Sequence, residues 1–184
     1  MNRKISTKHI VLTALLAALT AVGSALRIQL PVAIGGTTAF HLGNIFCALS
    51  GLLLGPWYGG LAAGLGSFLY DILSNYIDES WITLLTKGVY GLVAGLIAGR
   101  GSCSYLRATL AAAAAAISYA GLYLLKSILW GGMLKYGLPF PAAVLSVSAK
   151  LPATVFNAVV AVIFAPMLGI AIQKALKRNH LTLE

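Results

Sequence analysis

The sequence predicts an all-α integral membrane protein, a six-transmembrane-helix bundle with both termini in the cytoplasm. Three observations carry that expectation. Hydrophobic residues make up 59% of the 184 residues and charged residues only 9%, whereas a soluble domain carries about a quarter of its residues as Asp, Glu, Lys or Arg. The apolar residues gather in runs, and about 20 helical residues are needed to cross the hydrocarbon layer. The cations, 13 Lys and Arg against 4 Asp and Glu, sit at the ends of those runs, where they set topology. This pattern excludes a water-soluble monomer, a disordered chain and a nucleic-acid partner.

In chain order the candidate spans cover 9–26, 41–54, 57–73, 81–98, 106–130 and 142–172, and form one domain over 1–184. The second is short and the last is long, with Pro152 expected to bend it. Arg3, Lys4 and Lys8 precede the first span, Arg100 and Arg107 flank the connection after the fourth, and Lys174, Lys177 and Arg178 follow the last. An even number of spans puts all three clusters on one side, the cytoplasmic side, and Asp78 and Glu79 on the other. Arg3 and Lys4 ahead of an apolar core also look like a signal peptide; the segment is expected to stay as the first span. A tight turn falls at Leu54-Gly55-Pro56. The outer connections 27–40, 74–80 and 131–141 are longer, and Gly35-Gly36 and Gly131-Gly132 give two of them hinge-like freedom, as in a lid over a pocket.

Small residues recur at four-residue spacing: Ala14 and Ala18; Ala17, Ala21 and Ala25; Gly51, Gly55 and Gly59; Gly91, Gly95 and Gly99. In lipid such stripes let helix backbones approach closely. Most are expected to serve packing within the bundle. The alanine face of the first span is the best candidate for docking another membrane protein.

Charge at membrane depth usually marks function. Asp71, Lys87, Lys126 and Lys150 all fall in the outer half of the predicted bilayer, with Lys87 and Lys150 each about two turns into a span. Tyr90 lies one turn from Lys87, Tyr119, Tyr123, Lys126 and Trp130 repeat on one face of the fifth span, and Asn157 lies two turns beyond Lys150. Aromatic walls with a few aimed polar groups describe a small-molecule site. Three lysines against one acid favour an anionic ligand; snorkelling toward the headgroups is the competing account. Catalysis has little support, since HExxH, GxSxG and Walker signatures are absent. His41 at the start of the second span reads as a hydrogen-bonded helix-start residue. Cys47 and Cys103 form no metal or disulfide pattern.

Several segments, in order, resemble the S components of energy-coupling-factor (ECF) vitamin transporters: Thr38-Ala39-Phe40-His41-Leu42-Gly43-Asn44, Leu52-Leu53-Leu54-Gly55-Pro56, the stretch GLAAGLGSFLYD over 60–71, and Leu84-Leu85-Thr86-Lys87-Gly88. The run Ala14-Leu15-Leu16-Ala17-Ala18 resembles the AxxxA docking surface of that family's first helix. The resemblance implies a non-enzymatic, multi-pass plasma-membrane subunit that captures a vitamin at the outer face. It implies gates between helices one and two and between five and six. It implies docking through Ala14, Ala17 and Ala18 onto a transmembrane scaffold (T) subunit, with two cytoplasmic ATPases using ATP and no cofactor in this chain. Ligand residues are then expected among Lys87, Tyr90, Tyr123, Lys126, Trp130, Lys150 and Asn157. An anionic vitamin such as pantothenate is favoured over hydroxymethylpyrimidine, pyridoxine or riboflavin. The competing expectation is a self-contained secondary carrier or a small membrane-embedded enzyme using Asp71 and His41.

Overall fold

The computed structural model describes residues 7–31, 37–99 and 103–179. Arg3, Lys4, the Gly35-Gly36 pair and Arg100 lie outside the described residues. The chain runs α1 (Thr7–Ala25), β1 (Arg27–Pro31), β2 (Thr37–His41), α2 (Gly43–Leu73), α3 (Ile77–Ala98), α4 (Tyr105–Lys126), a π-helical extension (Ser127–Lys135), α5 (Phe140–Ser148) and α6 (Leu151–Arg178). Among the described residues, five segments are long and apolar enough to cross a membrane: Thr7–Ala25, Gly43–Leu73, Ile77–Ala98, Tyr105–Lys135 and Leu151–Arg178.

The expected second and third spans form one helical element, α2, broken at Gly55. There φ is +75°, a conformation that a residue with a Cβ rarely adopts. Pro56 follows, where its missing N–H costs nothing at the start of a new helical arm. The chain reverses at this point: a Cβ placed on Gly59 would stand 2.5 Å from Gly51 Cα, and Cys47 Sγ lies 3.8 Å from Ser67 Oγ. The two arms, 43–54 and 56–73, therefore lie side by side. The first arm is about 18 Å long at 1.5 Å per residue, too short to fill the roughly 30 Å of a bilayer. The space that it leaves is where the β1–β2 hairpin and the cavity sit.

Helix packing is close where the sequence is smallest. A Cβ on Gly51 would collide with Gly91 O, and one on Gly91 with Gly59 O. The four-residue glycine spacing thus serves contact between α2 and α3. Tyr90, Ala48, Ala63, Ala94, Ala112 and Ala115 complete a buried core, while large apolar residues such as Val11, Leu15, Leu85 and Ile117 face outward, as lipid-facing positions do.

Three expectations are corrected. The connection 27–40 contains an antiparallel hairpin, with Arg27 paired to His41 and Pro31 to Thr37, so the described chain is not wholly helical. The last span is two helices: Pro152 has no N–H for Ser148 O and crowds that carbonyl, and Lys150 N turns instead to Val147 O at 2.9 Å. Pro152 stands in the first turn of α6, where proline is tolerated, and Lys150 sits at the break rather than two turns inside a helix. Ala17 is buried against the second arm of α2, where its carbonyl blocks any Cβ at Gly66, whereas Ala14 and Ala18 are exposed.

Candidate functional site

The two ends of the bundle differ in what joins them. At one end His9 stacks on Tyr58 at 4.9 Å, Arg107 Nε donates to Ile97 O at 2.7 Å, and Gln173 Nε2 donates to Leu52 O at 3.4 Å. The other end carries the hairpin, the 74–76 turn and the π-helical extension. A cavity of about 410 Å³ opens there, within the usual range for small-molecule sites. Asp71, Lys87, Lys126 and Lys150, from four separate segments, all line it.

Lys87 forms the floor. It is 4% exposed, donates to Asn44 Oδ1, and lies 4.0 Å above the ring of Tyr119. The short first arm explains the contact, because it begins at membrane depth and brings Asn44 to the lysine. Behind Tyr119 stands Tyr90, stacked at 5.4 Å. Tyr90 is fully buried and backs the wall without lining the cavity. Tyr123 stacks on Tyr119 at 5.9 Å and does line it.

The mouth is bordered by ion pairs. Lys126 bonds Glu79, and Lys135 lies 2.5 Å from Asp78 and 3.4 Å from Glu79. Asp78 and Glu79 occupy the first turn of α3, where a carboxylate also suits the helix dipole. The left-handed Asn75, φ +63°, makes the turn that aims them at α4.

The π-helical extension resets the face that α4 presents. With about 4.4 residues per turn and i→i+5 bonding, the face continues through Ser127, Gly131 and then Lys135 and Tyr136, all of which line the cavity. Tyr136 N bonds Gly131 O at 3.2 Å. The α-helical spacing instead selects Trp130, and the structure turns that ring away to meet Trp81 edge-on at 5.5 Å. Trp130 is not a lining residue.

Lys150 differs from the other cations. It is 6% exposed, it lines the cavity, and its ammonium group has no hydrogen-bond or ion-pair partner among the described residues. A buried cation left so is costly until an anion joins it.

The hairpin closes the side of the cavity. On β1, Gln29 Nε2 and Arg27 Nη2 donate to Tyr76 Oη at 2.7 and 3.1 Å, and the Arg27 guanidinium lies 5.1 Å from the ring centres of both Tyr70 and Tyr76. On β2, His41 N–H donates to Asn157 Oδ1 at 2.9 Å, and Asn157 Nδ2 donates to Ala39 O at 2.8 Å. His41 Nδ1 accepts from Gly43 N–H at 3.2 Å, which caps the first arm as a neutral imidazole can. Loss of hydration, with Lys87 and Arg27 nearby, lowers its pKa to about 3. Sequence reasoning did not reach Asn44, Glu79, Arg27, Tyr76 or Lys135 as parts of the site; only the pairing of Asp78-Glu79 against nearby lysines hints at the mouth.

A polar, cation-rich cavity sunk into one end of an apolar bundle, walled by a hairpin, is the geometry of a receptor for a small solute. The family model for the ECF-type riboflavin transporter S component matches residues 4–174. The chain belongs to that family. It is therefore a membrane-embedded S component, and that family is one of transporter subunits rather than enzymes. The S component shares its fold with the crystal structure of FolT bound with folic acid, at TM-score 0.62 and 19% identity over 91% of this chain and 98% of that one. It is also 33% identical over 90 residues to an uncharacterized protein in a gap 3′ region of Pyrococcus woesei, a stretch covering 49% of this chain and 57% of that protein. The S component thus spans little more than half the length of that curated relative.

Proposed function

We propose that this S component captures a water-soluble vitamin carrying a planar ring and an anionic group, and delivers it inward when docked on a T subunit powered by two ATPases. In this reading ATP is used in the partners and the chain itself holds no cofactor. The cavity end faces outward and both termini face the cytoplasm, with the two arms of α2 counted among six spans. The distribution of charge supports that orientation: Lys8, Arg107, Lys174, Lys177 and Arg178 lie at the end opposite the cavity.

The observation that carries the substrate class is Lys150, buried, at the cavity wall and with no hydrogen-bond or ion-pair partner for its ammonium group among the described residues. An incoming carboxylate supplies that charge. Lys126 is neutralised by Glu79, while Lys87 donates to the neutral amide oxygen of Asn44 and adds positive charge at the floor. The tyrosines Tyr70, Tyr119 and Tyr123 offer surface for a ring. Pantothenate has the carboxylate but no ring, and neither the family nor the structural neighbour names it. Riboflavin has the planar ring but no anionic group, and folic acid has both, so the ring is common to the two named vitamins while the preference for an acid rests on Lys150 alone.

Calorimetric titration of the purified protein with riboflavin, folate, pantothenate, pyridoxine and hydroxymethylpyrimidine tests this. Submicromolar binding of a ring-bearing acid is the expected result, and a panel with no binder contradicts the reading. Docking is assigned to the exposed Ala14 and Ala18. Replacing both by Leu is expected to abolish uptake while leaving binding intact; uptake that survives removes the docking assignment.

A further inference from the structure

We infer that Asn157 is a positioning residue: it fastens strand β2 to α6 and so holds the cavity wall, and it is not the group that reads the vitamin. Its amide is engaged at both ends, Oδ1 by His41 N–H at 2.9 Å and Nδ2 by Ala39 O at 2.8 Å. Residues 39 and 41 are two apart, so these backbone groups share one edge of β2. The opposite edge pairs with β1. Asn157 therefore does for the free edge what a third strand would do, which leaves no open ladder facing the cavity. One amide matches one donor and one acceptor of a strand, because the side-chain amide of Asn, like that of Gln, has the same N–H and C=O groups as the peptide it pairs with. The side chain is 5% exposed, and next to it Phe156 meets Phe40 of the same strand edge-on at 4.8 Å, so the attachment is dry on one side. On β1 the fastening is different in kind: the Gln29–Tyr76 bond is exposed to water. The hairpin is thus held firmly along β2 and loosely along β1, and Ala39, His41 and Asn157 all border the cavity. A solute entering the cavity meets a wall whose position depends on Asn157 without needing to touch its amide.

The inference rests on the capture reading only for its kinetic consequence, since the attachment itself is measurable in protein without ligand. Hydrogen exchange of the purified chain in nanodiscs is the experiment. In wild type the His41 amide, which points away from β1, is expected to be protected. In Asn157→Ala, exchange over 37–41 is expected to rise about tenfold, the size of two lost hydrogen bonds to one side chain, while helical amides stay unchanged. Asn157→Asp, isosteric but without the donor to Ala39, is expected to give a smaller rise in the same segment and keeps the test open if the alanine variant does not fold. With a vitamin bound, both variants should release it faster with the rank order of vitamins unchanged. Unprotected His41 in wild type, or exchange over 37–41 that the variants leave unaltered, overturns the inference. So does a changed vitamin rank order with hairpin protection intact, the signature of direct contact. If no vitamin binds wild type, the capture reading fails, and the exchange data still decide the fastening.

Discussion

The two ends of this molecule are built on opposite principles. Around the Gly55 turn, backbones touch through Gly51, Gly59, Gly91 and Gly95, and the polar side chains Arg107 and Gln173 bond to backbone carbonyls there. Around the hairpin, close contacts persist at Gly43 against Ser24 and Gly132 against Ala143, but the cavity rim is held by polar pairs: Lys126–Glu79, Lys135–Asp78, Arg27–Tyr76 and Asn157–β2. Hydrophobic burial does not drive helix association in lipid, so close packing supplies it, and an end that gives up packing must be held by specific bonds. The packed end is fixed by the fit of backbones; the polar end is held by separate bonds, firm at Asn157 and weak where the pairs reach water.

The largest effect should come from breaking the packed end. Gly51→Val puts a branched side chain against Gly91 O, and overpacking of this kind is expected to cost about 3 kcal/mol, read as a drop in thermal unfolding temperature in detergent with folded yield reduced. A variant as stable as wild type would mean that the glycine contact is not what joins α2 to α3.

The next effect is a pH dependence seated in the hairpin. His41 has its pKa lowered to about 3 in the fold, against about 6.5 when unfolded. Below pH 6.5 the unfolded chain takes up a proton that the folded chain refuses, so stability is present above pH 6.5 and is lost as pH falls toward 3. The slope should reach about 1.4 kcal/mol per pH unit, so that about 2 kcal/mol is lost by pH 5. In His41→Asn that component should vanish from denaturation curves measured between pH 7 and 5, and identical curves for the two proteins would refute it.

A smaller change separates binding from stability at the polar end. Removing the positive charge with Lys150→Met should weaken vitamin binding by roughly 30-fold, about 2 kcal/mol, the scale for truncating one side of a buried charge pair, yet leave thermal stability equal or higher because a costly buried charge is gone. Lower stability with unchanged affinity would reverse the roles. The smallest effect is expected for Glu79→Gln. Its pairs with Lys126 and Lys135 are partly exposed, so the loss should stay below about 1 kcal/mol and shrink further in high salt. Its imprint should be a modestly faster vitamin release rate.

The packed end was largely legible in the sequence, because its information is local: apolar runs mark the spans, and Leu54-Gly55-Pro56 marks the reversal. The convergence of Asp71, Lys87, Lys126 and Lys150 on one cavity also follows from depth along the spans. What was not legible depends on departures from regular geometry. The strands 27–31 and 37–41 are five residues each, too short for alternation to announce them. The π-helical turns after Lys126 shift the lining face from Trp130 to Gly131, and α-helical periodicity cannot foresee a change of pitch. Lys150 looked like a residue inside a span until Pro152 proved to begin a new helix. Asn157 was legible as a buried polar residue but not as a clasp, because its partners lie 116 and 118 residues away.

The most direct test of the central claim is mass spectrometry of small molecules released from the protein purified without added vitamin. One ring-bearing, anionic vitamin is expected at near-stoichiometric amount from wild type, and none from Lys150→Met. Release of a neutral or cationic solute, or equal recovery of the same molecule from both proteins, would contradict it.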